Sequence, residues 1–302
     1  MPGNNGALTT LQSAADQHPD DFNIRLQLSE TLLRLQRKDE AAAAAKSVLE
    51  DATDPGLMNN AAYILSETGH DLAYAETMSR KSVGMLEEKG AAITATEANS
   101  HTFANANMLI AAWDTLGWIL YQEGKLEDAQ PLIAAAWRDS LRAEIGDHLG
   151  QVEEAMHKKD EACEAYHLAF AAMNSNTPPE VHKHIYESFT RLEASGAKPG
   201  PKNETEALQN LRTYKLGHIA GMNGWGTFRI ELTADGVIEA QQMSGDHRIA
   251  SISEAIMKMK FPELVPTGSK AHLLRSAVVS CSQTAGCEVV LVPEGGLLTE
   301  RQ

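Results

Sequence analysis

The sequence has few basic residues relative to its acidic ones, and this deficit limits its partners. Lysine and arginine number 26 against 41 aspartates and glutamates, which gives a formal net charge of −15. DNA, RNA and anionic membrane surfaces are polyanions, so a chain of this charge is disfavoured as their binder. A basic or mixed-charge protein partner would instead be attracted to it. The charge therefore predicts a protein or peptide partner and no nucleic acid.

Long apolar segments are missing as well. No apolar run approaches the roughly 18 residues needed to cross a bilayer, so we expect no membrane insertion. Residues 1–6 lack the basic start and apolar stretch of a secretory signal. This segment predicts a cytoplasmic protein if Met1 is the natural start, or otherwise a chain separated from its leader.

Cysteine is scarce, with three residues in the chain. Cys163 lies in a predicted helix, where a buried small side chain is the ordinary role. Cys281 and Cys287 flank a predicted hairpin loop, and paired strands would bring them within disulfide range. A disulfide in an oxidising compartment and free thiols elsewhere both stay open. A zinc site at this pair is disfavoured, because no third and fourth ligand lies nearby in the sequence.

Between residues 112 and 169, one pattern occurs twice. Its marker positions are Trp113, Leu116, Gly117, Leu120, Ala129, Ile133 and Ala136, and five of them recur 33 residues later as Leu149, Gly150, Ala162, Tyr166 and Ala169. A period of about 34 with this spacing is typical of the tetratricopeptide repeat, a helix–turn–helix unit. Glycine inside a helix costs about 1 kcal/mol relative to alanine, so Gly117 predicts a close approach of a second helix.

The same offsets locate further copies upstream. Counted from Phe22, the marker positions hold Leu28, Ser29, Leu32, Ala41, Ala45 and Val48. We predict a half repeat over residues 1–21, repeats over 22–88 with the second diverged, and an irregular or helical insert over 89–109. Two repeats and a capping helix follow over 110–194. Such units bury their apolar faces only by stacking, so the predicted fold is a mainly α helical solenoid.

After Ser195 the composition changes. Glycine and proline predict a linker over residues 195–225. Alternation from 228 to 232, an Asp-Gly turn at 235–236 and a return strand predict a hairpin. An apolar stripe at 249–259 predicts a helix, and two β-rich runs follow at 272–280 and 287–292. The order ββαββ predicts a small α+β domain over 226–293, with a tail at 294–302.

This order resembles the C-terminal domain of TonB-type energy transducers. The resemblance rests on Gly226 before the first strand, the Asp-Gly hairpin, a Ser-Gly pair before the helix, and Lys260-Phe261-Pro262 at its end. An extra terminal hairpin with two cysteines departs from that pattern. The anchor and proline-rich spacer of those proteins have no counterpart in this sequence, so energy transduction is not implied.

Most of the chain after Phe22 resembles the C-terminal half of bacterial multidomain proteins that combine transglutaminase-like and tetratricopeptide repeat domains. The segments that carry this resemblance are residues 113–118, 146–150, 280–282 and 286–287. It implies a periplasmic or cell-envelope location. It implies no catalytic role, because the enzyme-like part of that group has no counterpart in these residues.

The tetratricopeptide resemblance implies a concave face, lined by the first helix of each repeat, that holds another chain. The positions that the repeat pattern places on this face are Asp114, Trp118, Tyr121, Gln122, Glu144, Asp147, Gln151 and Glu154. Trp and Tyr anchor interfaces well, and the carboxylates suit a basic or amide-rich peptide. Alternatively, Trp118 and Tyr121 pack against the insert, and His148 is a packing residue.

Signals for catalysis or cofactors are weak. The glycine-rich residues 221–226 precede a strand rather than open a helix, so they offer no phosphate site. His182 and His184 lie two apart on different helix faces, the wrong spacing for one metal, and are predicted to be solvated. We therefore expect a non-enzymatic interaction scaffold without cofactors or metals. The alternatives are an accessory C-terminal portion of a transglutaminase-like envelope protein or a self-assembly module, and the oligomeric state stays open.

Overall fold

The computed structural model describes residues 3–92, 94 and 99–292, and the N-terminal part is an array of ten α-helices. The helices are α1 (Gly3–Gln17), α2 (Phe22–Arg34), α3 (Lys38–Asp51), α4 (Pro55–Thr68), α5 (Leu72–Ala91), α6 (Ser100–Gln122), α7 (Leu126–Ser140), α8 (Ala143–Ala155), α9 (Lys159–Ala171) and α10 (Pro179–Ala194). Helices α2–α3, α4–α5, α6–α7 and α8–α9 pack as consecutive hairpins, with α1 and α10 at the ends. The predicted mainly α repeat architecture is confirmed.

Short polar side chains begin several of these helices. Asp21 accepts hydrogen bonds from the first backbone N–H groups of α2, and Asp54 does the same for α4. Asn99 forms a reciprocal capping box with Thr102 at the start of α6. These caps satisfy N–H groups that have no partner inside the helix. The starts of α2, α4 and α6 are therefore encoded locally in the sequence.

Glycine permits the close packing within the repeat hairpins. A Cβ atom on Gly117 would lie 2.5 Å from Cγ1 of Ile133, and one on Gly150 would lie 2.5 Å from Cε1 of Tyr166. Both pairs join the first helix of a repeat to its second helix. The predicted close helix–helix approach at Gly117 is confirmed, and the second copy repeats it.

The predicted insert at residues 89–109 is helical at both ends. Helix α5 continues to Ala91, and α6 already begins at Ser100. These two helices have 20 and 23 residues, against 13–15 in the other helices of the four hairpins.

Among the described residues, no helix combines the length and the apolar character needed to cross a membrane.

The C-terminal part is a five-stranded antiparallel sheet with a short helical layer. Its strands are β1 (Thr213–Gly217), β2 (Gly224–Thr233), β3 (Gly236–Gly245), β4 (Leu273–Ser282) and β5 (Gly286–Leu291), in the order β1-β5-β4-β2-β3. A 3₁₀ helix (His247–Ile252) runs into α12 (Ser253–Ile256). Ile249, Ile252 and Ile256 are fully buried. The predicted α+β domain after the repeats is confirmed.

Two details of the predicted tail domain are wrong. The segment 195–225 is not only a linker, because it contains α11 (Glu204–Asn210), the strand β1 and the start of β2. The sheet therefore has five strands rather than the four of the predicted ββαββ order. No local sequence pattern predicts strand β1, because it is short and is defined by its pairing with the distant strand β5. The predicted tail at 294–302 lies outside the described residues.

The array and the sheet domain share one continuous hydrophobic core, which includes Trp113 of α6 and Phe228 of β2. Helix α6 contacts β4 directly. At this interface Nε of Arg275 in β4 lies 2.8 Å from Oδ1 of Asp139 in α7, and both side chains are almost fully buried. Glu87 of α5 accepts a hydrogen bond from Ser269 nearby. The sheet is thus docked against α5, α6 and α7.

Candidate functional site

The eight residues predicted to bind a partner lie on α6 and α8, the first helices of the two clearest repeats. Several of these side chains connect α6 and α8 to each other, to α4 and to α10 through hydrogen bonds, ion pairs and ring contacts, and we treat the eight residues together with these partners as one set. We call this set the polar row. Its members are Glu67, Asp114, Trp118, Tyr121, Gln122, Glu144, Asp147, His148, Gln151, Glu154, His184 and Arg191.

Trp118 is the centre of the polar row. Its ring stacks on His148 with centroids 4.1 Å apart and on Tyr121 at 4.9 Å. Its Nε1 donates a hydrogen bond of 2.7 Å to Oε1 of Glu67 in α4. Gln122 donates to the same carboxylate oxygen. These contacts lie with α4 and α8 rather than with the insert, and they leave the indole half-buried.

A carboxylate–histidine pair joins α6 to α8. Nδ1 of His148 lies 2.9 Å from Oδ1 of Asp114. Burial lowers the pKa of His148, but the charge and hydrogen bond of Asp114, with further contributions from Asp147 and Glu67, raise it above its ordinary value. His148 therefore packs against Trp118, and its contact with Asp114 favours the protonated form of the imidazole.

Helix α10 completes the row on the other side of α8. Nδ1 of His184 lies 2.7 Å from Oδ1 of Asp147, and Gln151 donates to the other oxygen of that carboxylate. Arg191 makes two bonds of 2.7 and 2.8 Å to Glu154. Arg191 holds the pKa of Glu154 below its usual value, whereas burial raises the pKa of Asp147 despite His184.

The site contains four residues that the sequence analysis did not place there: Glu67, His148, His184 and Arg191. His184 is not merely solvated, as was predicted, because it binds Asp147; His182 is exposed. One feature of the sequence could have indicated three of these residues, His148, His184 and Arg191. The partners lie about one repeat apart, 34 residues for Asp114–His148 and 37 for both Asp147–His184 and Glu154–Arg191.

Glu144 lies half-buried in the first turn of α8. Its charge acts on Tyr63 of α4, whose pKa is raised chiefly by burial and then by Glu67, Asp114 and Glu144. The phenol of Tyr63 is therefore neutral at physiological pH. The row presents carboxylates, imidazoles and aromatic rings.

The remaining cysteine and metal predictions concern other places. Cys281 and Cys287 face each other across β4 and β5 and form a disulfide. Cys163 is buried in α9, and burial, followed by the charges of Glu193 and Asp160, raises the pKa of its thiol to about 11. A thiol of this pKa is protonated at neutral pH and is not an activated nucleophile. Within the described ranges, one group of side chains has metal-ligating geometry, and it lies around Cys163.

Comparison with known proteins supports the repeat architecture at the N-terminus. A family model described as Tetratricopeptide repeat matches residues 4–61, which cover α1, α2, α3 and the first half of α4. No curated protein matches the chain. The match ends before the polar row, so it supports a repeat scaffold for protein–protein interaction without assigning the site. The resemblances to TonB-type and transglutaminase-like proteins stay predictions.

Proposed function

We propose that the chain is a non-enzymatic scaffold that binds a peptide segment of another protein along the polar row. The observation that carries this proposal is Trp118, a half-buried indole held between Tyr121 and His148 and hydrogen-bonded at Nε1. A large aromatic side chain in a fixed orientation offers contact area at little cost in conformational entropy. The repeat match at residues 4–61 supports the scaffold role.

The charges of the row favour a basic or amide-rich segment. Five carboxylates, those of Glu67, Asp114, Glu144, Asp147 and Glu154, face one arginine and two histidines. Two bonds to Glu67 come from the neutral donors Trp118 and Gln122, so its negative charge is not cancelled. Lysine or arginine side chains of a partner can therefore gain attraction here, and amides can share the carboxylate oxygens.

The contacts of the row also explain how it would be kept ready for a partner. Each carboxylate that bonds to a neighbouring helix fixes the spacing of α4, α6, α8 and α10 before binding. A surface already ordered in the free protein loses less conformational entropy when it binds. The side chain of Arg191 is more than half exposed. Its ion pair with Glu154 is therefore the one in which a basic side chain of the partner can most easily take the place of the arginine.

The test is selection of peptides from a random library on the purified chain, followed by fluorescence anisotropy with a labelled peptide. The double variant Trp118→Ala/Tyr121→Ala should weaken binding by about 2 kcal/mol or more, roughly 30-fold. Trp225→Ala is the matched control, because Trp225 is 54% exposed on β2 of the sheet domain. Circular dichroism confirms that both variants keep their helix content.

Two outcomes would overturn the proposal. Equal affinity of the double variant and the wild type, with loss in Trp225→Ala, would place the site on the sheet domain. Failure of the library to yield any peptide that binds the folded chain would remove peptide binding as its function.

A further inference from the structure

Three potential metal ligands meet at the C-terminal end of the array, away from the polar row. Cys163 and His167 lie four residues apart on one face of α9, and Glu193 lies near the end of α10. One ligand atom from each residue lies within 4.8 Å of the other two. Cys163 is fully buried and the His167 side chain is 13% exposed, so Glu193, at 36%, lies on the outer side of the group.

The imidazole of His167 is fixed in orientation. Its ring lies 4.3 Å from the ring of Phe189, and the backbone at Gly200 approaches so closely that a Cβ atom there would clash with it. Nε2 lies 2.9 Å from Oε1 of Glu193, and Nδ1 lies 3.6 Å from Oε1 of Glu204. Both ring nitrogens therefore face carboxylates.

We propose that Cys163, His167 and Glu193 bind a divalent metal ion of the zinc class. A thiolate, an imidazole and a carboxylate are all ligands that Zn²⁺ accepts, and three protein ligands leave a fourth position open. The two anionic ligands balance the charge of the ion once the thiol proton is released on binding.

Small shifts of the side chains would let the group hold the ion: Nε2 of His167 and Oε1 of Glu193, 2.9 Å apart, must separate slightly, and the longer separations in the group must shorten. Bonds of about 2.0–2.3 Å in a tetrahedral arrangement put ligand atoms roughly 3.5 Å apart, compared with the observed limit of 4.8 Å. Glu193 is 36% exposed, so it has room to move toward Cys163. Nε2 of His167 is the nitrogen that would bind the ion, because it already faces Glu193.

Glu204 would orient the metal ligand His167 without binding the ion itself. A metal-bound histidine commonly donates its other ring N–H to a carboxylate, which fixes the tautomer and strengthens the ligand. Nδ1 of His167 faces Glu204 in this way. Glu204 is the first residue of α11, so an ion would connect the array to the start of the segment that leads into the sheet.

The test uses the full chain, stripped with a chelator and kept without reductant so that the disulfide cysteines offer no thiolate. Titration with Co²⁺ should produce a thiolate-to-cobalt charge-transfer absorption that saturates at one ion per chain, and added Zn²⁺ should displace it. Cys163→Ser should abolish this absorption. Glu204→Gln should weaken Co²⁺ affinity by about 10–100-fold. His182→Gln, an exposed histidine of α10, should leave it unchanged.

Absence of the charge-transfer band in the wild type, or its survival in Cys163→Ser, would overturn the proposal. Since a buried cysteine can be needed for folding, a second measurement uses the wild type alone. Zn²⁺ should raise its Tm, by the linkage between ligand binding and folding, and the rise should vanish in His167→Gln. No rise in the wild type contradicts the site.

Discussion

The polar row and the interface between array and sheet both pair carboxylates with cationic groups, but in opposite surroundings. At the interface, the side chains of Arg275 and Asp139 are 4% and 2% exposed. In the polar row, those of Arg191 and Glu154 are 56% and 33% exposed. Exposed pairs contribute about 0–1 kcal/mol, whereas removing one partner of a buried pair costs about 3–5 kcal/mol. The same chemistry thus allows exchange in the row and fixes an orientation at the interface.

Breaking the buried pair should have the largest effect. Arg275→Leu leaves the Asp139 carboxylate without its guanidinium partner inside the shared core, and we expect a loss of about 3–5 kcal/mol in the free energy of unfolding. Urea denaturation measures it. Arg191→Gln in the polar row is the matched control, with an expected loss below about 1 kcal/mol. Equal losses would mean that the two regions do not differ as described.

Removing the disulfide tests whether the sheet domain contributes to the stability of the array. Cys281→Ser/Cys287→Ser releases a loop with a sequence separation of 6, and the chain-entropy model assigns such a short loop slightly over 2 kcal/mol. Because the two regions share one core, far-ultraviolet circular dichroism of the helices should show a lower Tm. An unchanged helical Tm, with loss of the sheet alone, would separate the two regions energetically.

The packing of α8 against α9 can be changed without substituting any side chain of the polar row. Gly150→Ala puts a methyl group against Tyr166 and forces α8 and α9 apart, which should cost about 1–3 kcal/mol. Gly84→Ala in α5 is the control, because nothing lies within 4 Å of its added Cβ atom, and it should stabilise the chain by up to about 1 kcal/mol. Thermal melts compare both variants. A similar response at the two sites would contradict close packing at Gly150.

The smallest predicted effect is a pH dependence in the row. The folded-state pKa of His148 is raised, so the protonated imidazole stabilises the fold. This contribution is fully present below the unfolded pKa of about 6.5 and is lost as the pH rises through the higher folded value. The difference in unfolding free energy between wild type and His148→Gln should shrink over that range.

The repeat hairpins were predictable because their signals are local. Gly117 and the spaced alanines recur at a fixed period, and Gly117 and its counterpart Gly150 each approach the next helix of the same hairpin. The hairpin from β2 to β3 has an equally local turn. Strand β1 has neither signal, since glycine and proline dominate its surroundings and its partner β5 lies some 70 residues away; long-range pairing decides its structure.

The candidate site was predictable in part. The repeat register indicated which positions of α6 and α8 share a face, and the structure joins Trp118 to Tyr121 and Asp147 to Gln151 there. Glu67 belongs to a helix whose repeat register is blurred, so its bond to Trp118 could not be anticipated. Arg191 lies on the capping helix, and its spacing of about one repeat from Glu154 is the sequence signal for that bond. The group at Cys163 could not be predicted from local spacing, because Glu193 comes close to Cys163 and His167 only when α10 packs on α9.

The docking of the sheet also has a consequence for the order of folding. The contacts that hold it, Ser269 to Glu87 and Arg275 to Asp139, join residues 182 and 136 positions apart in the chain. Helical hairpins close short loops and form quickly, whereas contacts of large sequence separation form slowly. During synthesis, α5, α6 and α7 leave the ribosome long before β4 exists. We expect their outer surface to remain uncovered for that interval, and the nascent chain to be most vulnerable to aggregation there.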